Sequence, residues 1–190
     1  MKPFVAEVNS EIAELLGVLL GDGCISRFVS QGRVKLEVAF TGNESEVGYY
    51  KTFLKHLVEE LFPIKGQLRI RDDHSVRLHF RSKRLATYFR SIGLPLGKKK
   101  DASIPLVTRE KRGLIVAFVR GFYHAEGSIY RRYSRKYPYH ARKYGNLLVV
   151  QFRCKLKTLM FQLHKEIKRL GIRPTRLTES KGAYTFRLTD

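Results

Sequence analysis

Asp22 and Glu126 are distinguished by where they stand. Each closes an apolar helical run and precedes a glycine, in Leu15-Leu16-Gly17-Val18-Leu19-Leu20-Gly21-Asp22-Gly23 and in Arg120-Gly121-Phe122-Tyr123-His124-Ala125-Glu126-Gly127. An acid at a helix C-terminus meets the negative pole of the macrodipole, at a cost of ~0.3 to 1 kcal/mol at an exposed site, so folding alone prefers lysine there. Gly17 and Gly121, Asp22 and Glu126, and Gly23 and Gly127 are each 104 positions apart, which marks an internal repeat. If the copies pair about a pseudo-two-fold axis through these helices, both carboxylates meet beside two sets of unsatisfied helix-end carbonyls, a place that requires cations. Hard oxygen donors of this kind suit Mg²⁺, with Mn²⁺ the expected substitute, because such ions keep waters and accept phosphate oxygens. The chemistry that follows is phosphodiester hydrolysis, with water activated and charge on the leaving oxygen stabilised.

Bulk composition narrows the partner. The chain has 190 residues, 43% of them hydrophobic, enough to bury a core, yet carries a formal charge of +20 and a pI near 10.2. Self-repulsion of that size is tolerable where a polyanion neutralises it, so nucleic acid is the leading partner. Residues 1–100 hold 17 Lys+Arg against 11 Asp+Glu, and residues 101–190 hold 20 against 6. The apolar run 12–20 contains Glu14 and is far shorter than the roughly 20 residues of a membrane span. No secretory signal is read at the N-terminus, and Cys24 and Cys154 alone make neither a disulfide framework nor a zinc set, so a reducing, cytoplasmic interior is expected.

The elements that must hold the two acids can be traced by periodicity. Residues 11–20 predict a helix apolar on most faces and so deeply buried, with Ser10 as N-cap. Residues 33–40 alternate as a half-buried strand, 49–61 form an amphipathic helix, and 67–71 and 76–81 form a hairpin turning at 72–75. A helix over 83–92 is followed by Gly93-Leu94-Pro95-Leu96-Gly97-Lys98-Lys99-Lys100, a natural joint. The order then restarts: a helix over 114–125, a strand from 128 to about 133, a basic loop, a strand 147–154, a helix 156–170 and strands near 175–178 and 184–188. The second copy lacks the final helix of the first. The expected domains are therefore 1–100 and 101–190.

The two nine- and eight-residue motifs resemble the signature motifs of LAGLIDADG homing endonucleases, in the monomeric, two-motif archaeal intron-encoded type. The resemblance extends over nearly the whole chain through element order. It implies an α+β fold in which an αββαββ unit is used twice, with paired central motif helices and two antiparallel sheets forming a saddle for double-stranded DNA. It also implies staggered, metal-dependent double-strand breaks at a long site. The acid before the final glycine ligates metal, which maps onto Asp22 and Glu126, with the carbonyls of Gly21 and Ala125 completing the protein ligands. Auxiliary catalytic residues map onto Thr41-Gly42-Asn43 and Cys154-Lys155-Leu156-Lys157, where Asn43 and Lys155 are the candidates. His124 takes a position usually outside the metal shell. The alternatives are an intron maturase on the same scaffold, whose partner is intron RNA, and a DNA-binding regulator that never cuts.

The polar faces of the hairpins are the expected reading surfaces. On the first lie Ser26, Phe28, Ser30, Arg33, Lys35 and Glu37, joined by Gln67, Arg69, Arg71, Arg77, His79 and Arg81. The repeat offset carries Ser26, Phe28 and Ser30 onto Tyr130, Arg132 and Ser134, with Gln151 and Arg153 exposed on the partner strand. A two-stranded ribbon fits the major groove, where Arg and Gln make bidentate contacts to guanine and adenine. The basic loop 135–143 is expected to touch phosphates without sequence choice.

Overall fold

A computed structural model describes residues 7–132 and 147–189, apart from the side chains of Arg132 and Leu147. The architecture is α+β, with two four-stranded antiparallel sheets of equivalent order, β1-β2-β4-β3 and β5-β6-β8-β7. The chain divides by contact into two compact units, Met1–Ala125 and Glu126–Asp190.

The first unit begins with α1 (Ser10–Gly21), in which Ile12 through Leu20 are all buried, as an apolar surface all round requires. Its cap is Asn9 rather than Ser10: the Asn9 side chain accepts from the Ile12 amide at 2.9 Å. β1 (Gly23–Ser30) and β2 (Arg33–Asn43) follow, then a short 3₁₀ turn (Glu44–Glu46). The expected single helix over 49–61 is a π-helical stretch, Tyr49–Leu54, running without a break into α2 (Lys55–Leu61). β3 (Gln67–Ile70), β4 (Ser75–Phe80) and α3 (Lys83–Ser91) complete the first repeat. Phe40, Phe80, Leu54, Val58, Leu85 and Phe89 fill the space between sheet and helices with no exposed surface.

After a single helical turn, α4 (Leu106–Arg109), the second motif helix α5 (Arg112–Glu126) returns through this unit. It packs backbone to backbone on α1. A Cβ on Gly17 would collide with the Phe118 carbonyl and the Phe122 amide, and one on Gly121 would collide with the main chain of Glu14. Glu14 and Phe118 are themselves 104 positions apart, so the two contacts exchange under the repeat offset, as an isologous contact about a two-fold must. Ala13, Leu114 and Ala117 close the seam, and the buried Glu14 carboxylate is ion-paired to Arg120.

This seam explains why the compact units meet at 125/126 while the sequence repeat restarts near residue 101: α5 belongs to the second copy by sequence but buries its apolar face on α1. The second unit comprises β5 (Gly127–Arg132), β6 (Leu147–Cys154), α6 (Lys157–Arg169), β7 (Thr178–Ser180) and β8 (Ala183–Thr189). The strand expected near 175–178 begins later because Pro174 makes only an isolated bridge to Leu188. There the Thr175 hydroxyl, not a backbone carbonyl, accepts from the Arg187 amide at 2.9 Å. Leu159, Met160 and Leu163 of α6 pack into the core with Phe152 and Phe186, whose rings stack at 5.1 Å.

Gly121→Ala is expected to destabilise the fold by about 2 kcal/mol or more, because the added methyl meets main chain that cannot rotate away. Urea unfolding measures this, and an unchanged midpoint and slope would show that the helices do not pack through these glycines.

Candidate active site and nucleic-acid interface

The α1 terminus is an electrostatic conflict with a local solution. Asp22 is the C-cap residue, half-buried, its amide donating to the Val18 carbonyl at 2.9 Å and its carbonyl accepting from Thr41 at 3.1 Å. α1 carries no basic residue in its last turn. The missing cation comes from far along the chain: Lys99 Nζ donates to the carbonyl oxygens of Leu20, at 2.8 Å, and Gly21. This ammonium neutralises the negative helix end where an acid is also held. Sequence reasoning placed Lys99 in a joint and assigned it no role. Its signal was the Lys98-Lys99-Lys100 run, but spacing does not disclose which lysine folds back onto a helix end.

Around Asp22 the surroundings are aromatic. Burial first, then the charges of Asp22 and Glu46, raise the pKa of the Tyr50 phenol, and burial with Glu14 and Asp22 does the same for Tyr49, so both stay protonated. Tyr49 stacks on His124 of α5 at 5.4 Å and 25°, and on Phe53 at 5.4 Å. His124 is thus engaged with aromatic rings in the unit that holds Asp22.

Asn43, a candidate helper, ends β2 and pairs with Ser75, while Thr41 is the residue opposite Asp22. The Asn43 side-chain oxygen accepts from the Ser45 amide at 2.9 Å and hydroxyl at 2.8 Å, and its amide donates to Glu46 at 2.8 Å, a complete capping box. Its carbonyl oxygen is committed to this cap.

In the second unit Glu126 is half-buried and the Cys154 thiol donates to its Oε1 at 3.4 Å. Lys155, which follows, is exposed. Ala125 and Gly21 carry no side-chain donor, so any ligation by them is through carbonyl oxygen. Among the described residues no group of three or more His, Cys, Asp and Glu side chains converges. Each motif therefore offers one carboxylate and neighbouring carbonyls.

The strand register brings the first set of expected reading residues to one face. Ser26 pairs with Glu37, Phe28 with Lys35 and Ser30 with Arg33; Gln67 pairs with His79 and Arg69 with Arg77. Arg71 and Arg81 flank that face at the strand ends. Cys24, Ala39, Thr41 and Ser75 share it by the same register. Two members differ from a simple solvated face. The Glu37 carboxylate is buried and ion-paired to Arg77, with Arg81 Nε at 3.4 Å, while the Arg81 guanidinium lies 5.9 Å from the Phe28 ring centroid. His79 is 4% exposed and neither ring nitrogen has a hydrogen-bond partner. Burial pushes its pKa below the ordinary 6.5, with Arg81, Arg69 and Arg77 acting the same way against Glu37.

On the second sheet, Tyr130, Gln151 and Arg153 share a face with Ser128, Thr185 and Arg187. Gln151 is held there: its Oε1 accepts from Arg187 Nε at 2.9 Å and from the Tyr130 hydroxyl at 3.3 Å. Arg187 was not anticipated, although the alternation of Tyr184, Phe186 and Leu188 with Thr185 and Arg187 places it on this face. Ser134, the Arg132 side chain and the loop 135–143 lie outside the described residues.

No family model and no curated protein matches this chain. Solved structures do. The homing endonuclease I-DmoI in complex with DNA and Mn is 22% identical, with a TM-score of 0.65 over 94% of this chain and 89% of that chain. The LAGLIDADG meganuclease I-AabMI bound to uncleaved DNA is 15% identical, with a TM-score of 0.64 over 96% and 79%. I-SmaMI bound to an uncleaved DNA target with calcium ions is 12% identical, with a TM-score of 0.61 over 97% and 80%. The fold is that of the LAGLIDADG homing endonucleases. Within this LAGLIDADG fold, α1 and α5 are the motif helices that end in Asp22 and Glu126.

His79 carries a pH signature. The unfolded chain takes up its proton near 6.5, whereas the folded chain does so only at lower pH. The stability tied to neutral His79 is therefore fully present above 6.5 and lost as pH falls through the lower folded value. His79→Gln is expected to shrink the drop in melting temperature between about pH 7.5 and about pH 5.5. Equal drops in variant and wild type would show that His79 does not titrate in this environment.

Proposed function

We propose that this chain is a monomeric LAGLIDADG homing endonuclease, acting inside the cell on genomic DNA and making metal-dependent, staggered double-strand breaks at a long site. The observation that carries the reading is the exchange-symmetric contact of Gly17 with Phe118 and Gly121 with Glu14, in helices that each end in an acid which folding alone disfavours. A symmetric seam with a carboxylate at each helix end suits a symmetric substrate, the two strands of a duplex.

The donor set fits a hard divalent cation. Asp22 with the Gly21 carbonyl, and Glu126 with the Ala125 carbonyl, would hold a Mg²⁺ or Mn²⁺ ion, a carboxylate-and-carbonyl donor set of the kind that leaves room for water and phosphate oxygen. When bound, such ions lower the pKa of attacking water and stabilise charge on the leaving oxygen. The chain's own residues do the rest. Lys99, at the Gly21 carbonyl, holds a positive charge beside the scissile region and orients the helix-end oxygens. Lys155, exposed and next to the Cys154 whose thiol donates to Glu126, is placed to reach a phosphate oxygen. Asn43 can offer only its amide NH₂, since its oxygen caps the turn. The face containing Arg69, Arg77, His79 and Gln67 reads bases, with Glu37 fixing Arg77 and Arg81; Tyr130, Gln151 and Arg153 do so on the second sheet.

Incubating the purified protein with a library of long duplexes, with and without Mg²⁺, tests the function. Double-strand cuts at one long site that disappear in EDTA are expected, and tight binding with no cut even in Mn²⁺ would replace this reading with a non-cleaving regulator. Asp22→Asn and Glu126→Gln are each expected to reduce cutting by about a hundredfold or more with duplex affinity largely retained. Normal double-strand cleavage by either variant would remove the acid from the mechanism. Lys99→Met is expected to slow cutting by about ten- to a hundredfold at unchanged site preference; a wild-type rate would assign Lys99 to helix capping alone.

A further inference from the structure

β2 is longer than its pairing with β4. Residues 38–40 of β2 pair with both neighbours and 41–43 with β4, but 33–37 pair only with β1, because β4 ends at Phe80, opposite Val38. The β1/β2 ribbon thus runs past the rest of its sheet, with one edge of β2 open among the described residues. In that notch lies a cavity of about 420 Å³. Its cationic lining is Arg27, Lys35, Arg81, Lys83 and Arg90, and no acid lines it.

Arg81 is shared with Glu37, and Lys35 Nζ lies 3.4 Å from the Ser30 hydroxyl. Arg27, Lys83 and Arg90 have no acidic partner among the described residues. Like charges gathered around one space repel, and an anion offsets that repulsion. The remaining wall is apolar: Leu36, with Val34 and Leu96 left 55% and 37% exposed.

We propose that this notch is a phosphodiester-backbone site, holding a segment of one duplex strand with phosphate oxygens on the arginines and lysines and deoxyribose against Val34, Leu36 and Leu96. It rests on the DNA reading and extends it to Arg27, Lys83 and Arg90, which lie outside the base-reading face. Register puts Lys35 on the side of β2 that carries Glu37, and Val34 and Leu36 on the opposite side, with Arg27 paired to Leu36, so the cavity wraps the ribbon's edge rather than either face. A ribbon lying in a major groove turns one face to the bases and its edges toward the two backbones. The open edge of β2 is where a backbone passes, and the apolar wall matches a sugar–phosphate chain better than a free phosphate ion.

The test is duplex affinity of the full chain as a function of salt, in EDTA, for Arg27→Ala/Lys83→Ala/Arg90→Ala. The comparator is Lys165→Ala/Lys168→Ala on the exposed side of α6, and circular dichroism establishes folding of each variant. The notch variant is expected to lose affinity about tenfold or more for every duplex sequence, with the slope of log K against log salt reduced by about two to three, and the comparator to lose much less. A wild-type slope in a folded notch variant, or equal losses in both variants, would overturn the site while leaving duplex binding intact. Failure of the wild-type protein to bind any duplex would overturn the DNA reading and this site together. Salt-linked loss in competition by inorganic phosphate alone, with duplex affinity unaffected by the substitutions, would make the notch a free-anion site instead.

Discussion

Side chains normally hold two helices 8 to 10 Å apart, and in this chain that spacing is given up at one place, where Gly17 and Gly121 let the α1 and α5 main chains touch. Much else is subordinate to that contact. It explains the near-complete burial of α1, the small residues Ala13 and Ala117 along the seam, and the division of the chain inside the second sequence repeat rather than between the repeats. It also explains why Glu14 can be both buried and charged: Arg120, one position before Gly121, is brought to it by the same approach.

The contact has an electrostatic consequence. Each motif helix ends in an acid, so each terminus combines the macrodipole's negative pole with a formal negative charge. At α1 the fold answers with Lys99, reaching back from beyond α3 to two terminal carbonyls. At Glu126 the Cys154 thiol, a weak donor, lies against the carboxylate at 3.4 Å.

Positive charge is organised rather than scattered. On the first sheet Glu37 is buried among arginines and holds Arg77 and Arg81 in place, which lowers the entropy lost when those guanidinium groups are used. Gln151 is held similarly between Tyr130 and Arg187 on the second sheet. His79 keeps two unpartnered ring nitrogens at the cost of burying them, an arrangement that folding alone does not favour.

The duplicated order, the two motif helices, β6 and the polar faces of the hairpins were legible because each depends on local periodicity, in which side-chain direction follows from position along the strand or helix. The exchange of Gly17 and Gly121 contacts was implicit in a single offset. Other features depend on which distant residues meet, and periodicity carries no such information. Lys99 lies 77 residues from Asp22 and was indistinguishable from its lysine neighbours. Glu37 read as an outward acid until register set it beside Arg77 and Arg81, and Asn43 read as a helper until Ser45 and Glu46 folded onto it. The notch beside β2 exists because β4 stops short, a difference in strand length that emerges only when strands pair. Sequence by itself determined the elements and the chemistry at their ends; tertiary structure alone decided which charges are paired, because pairing is a property of distance through space.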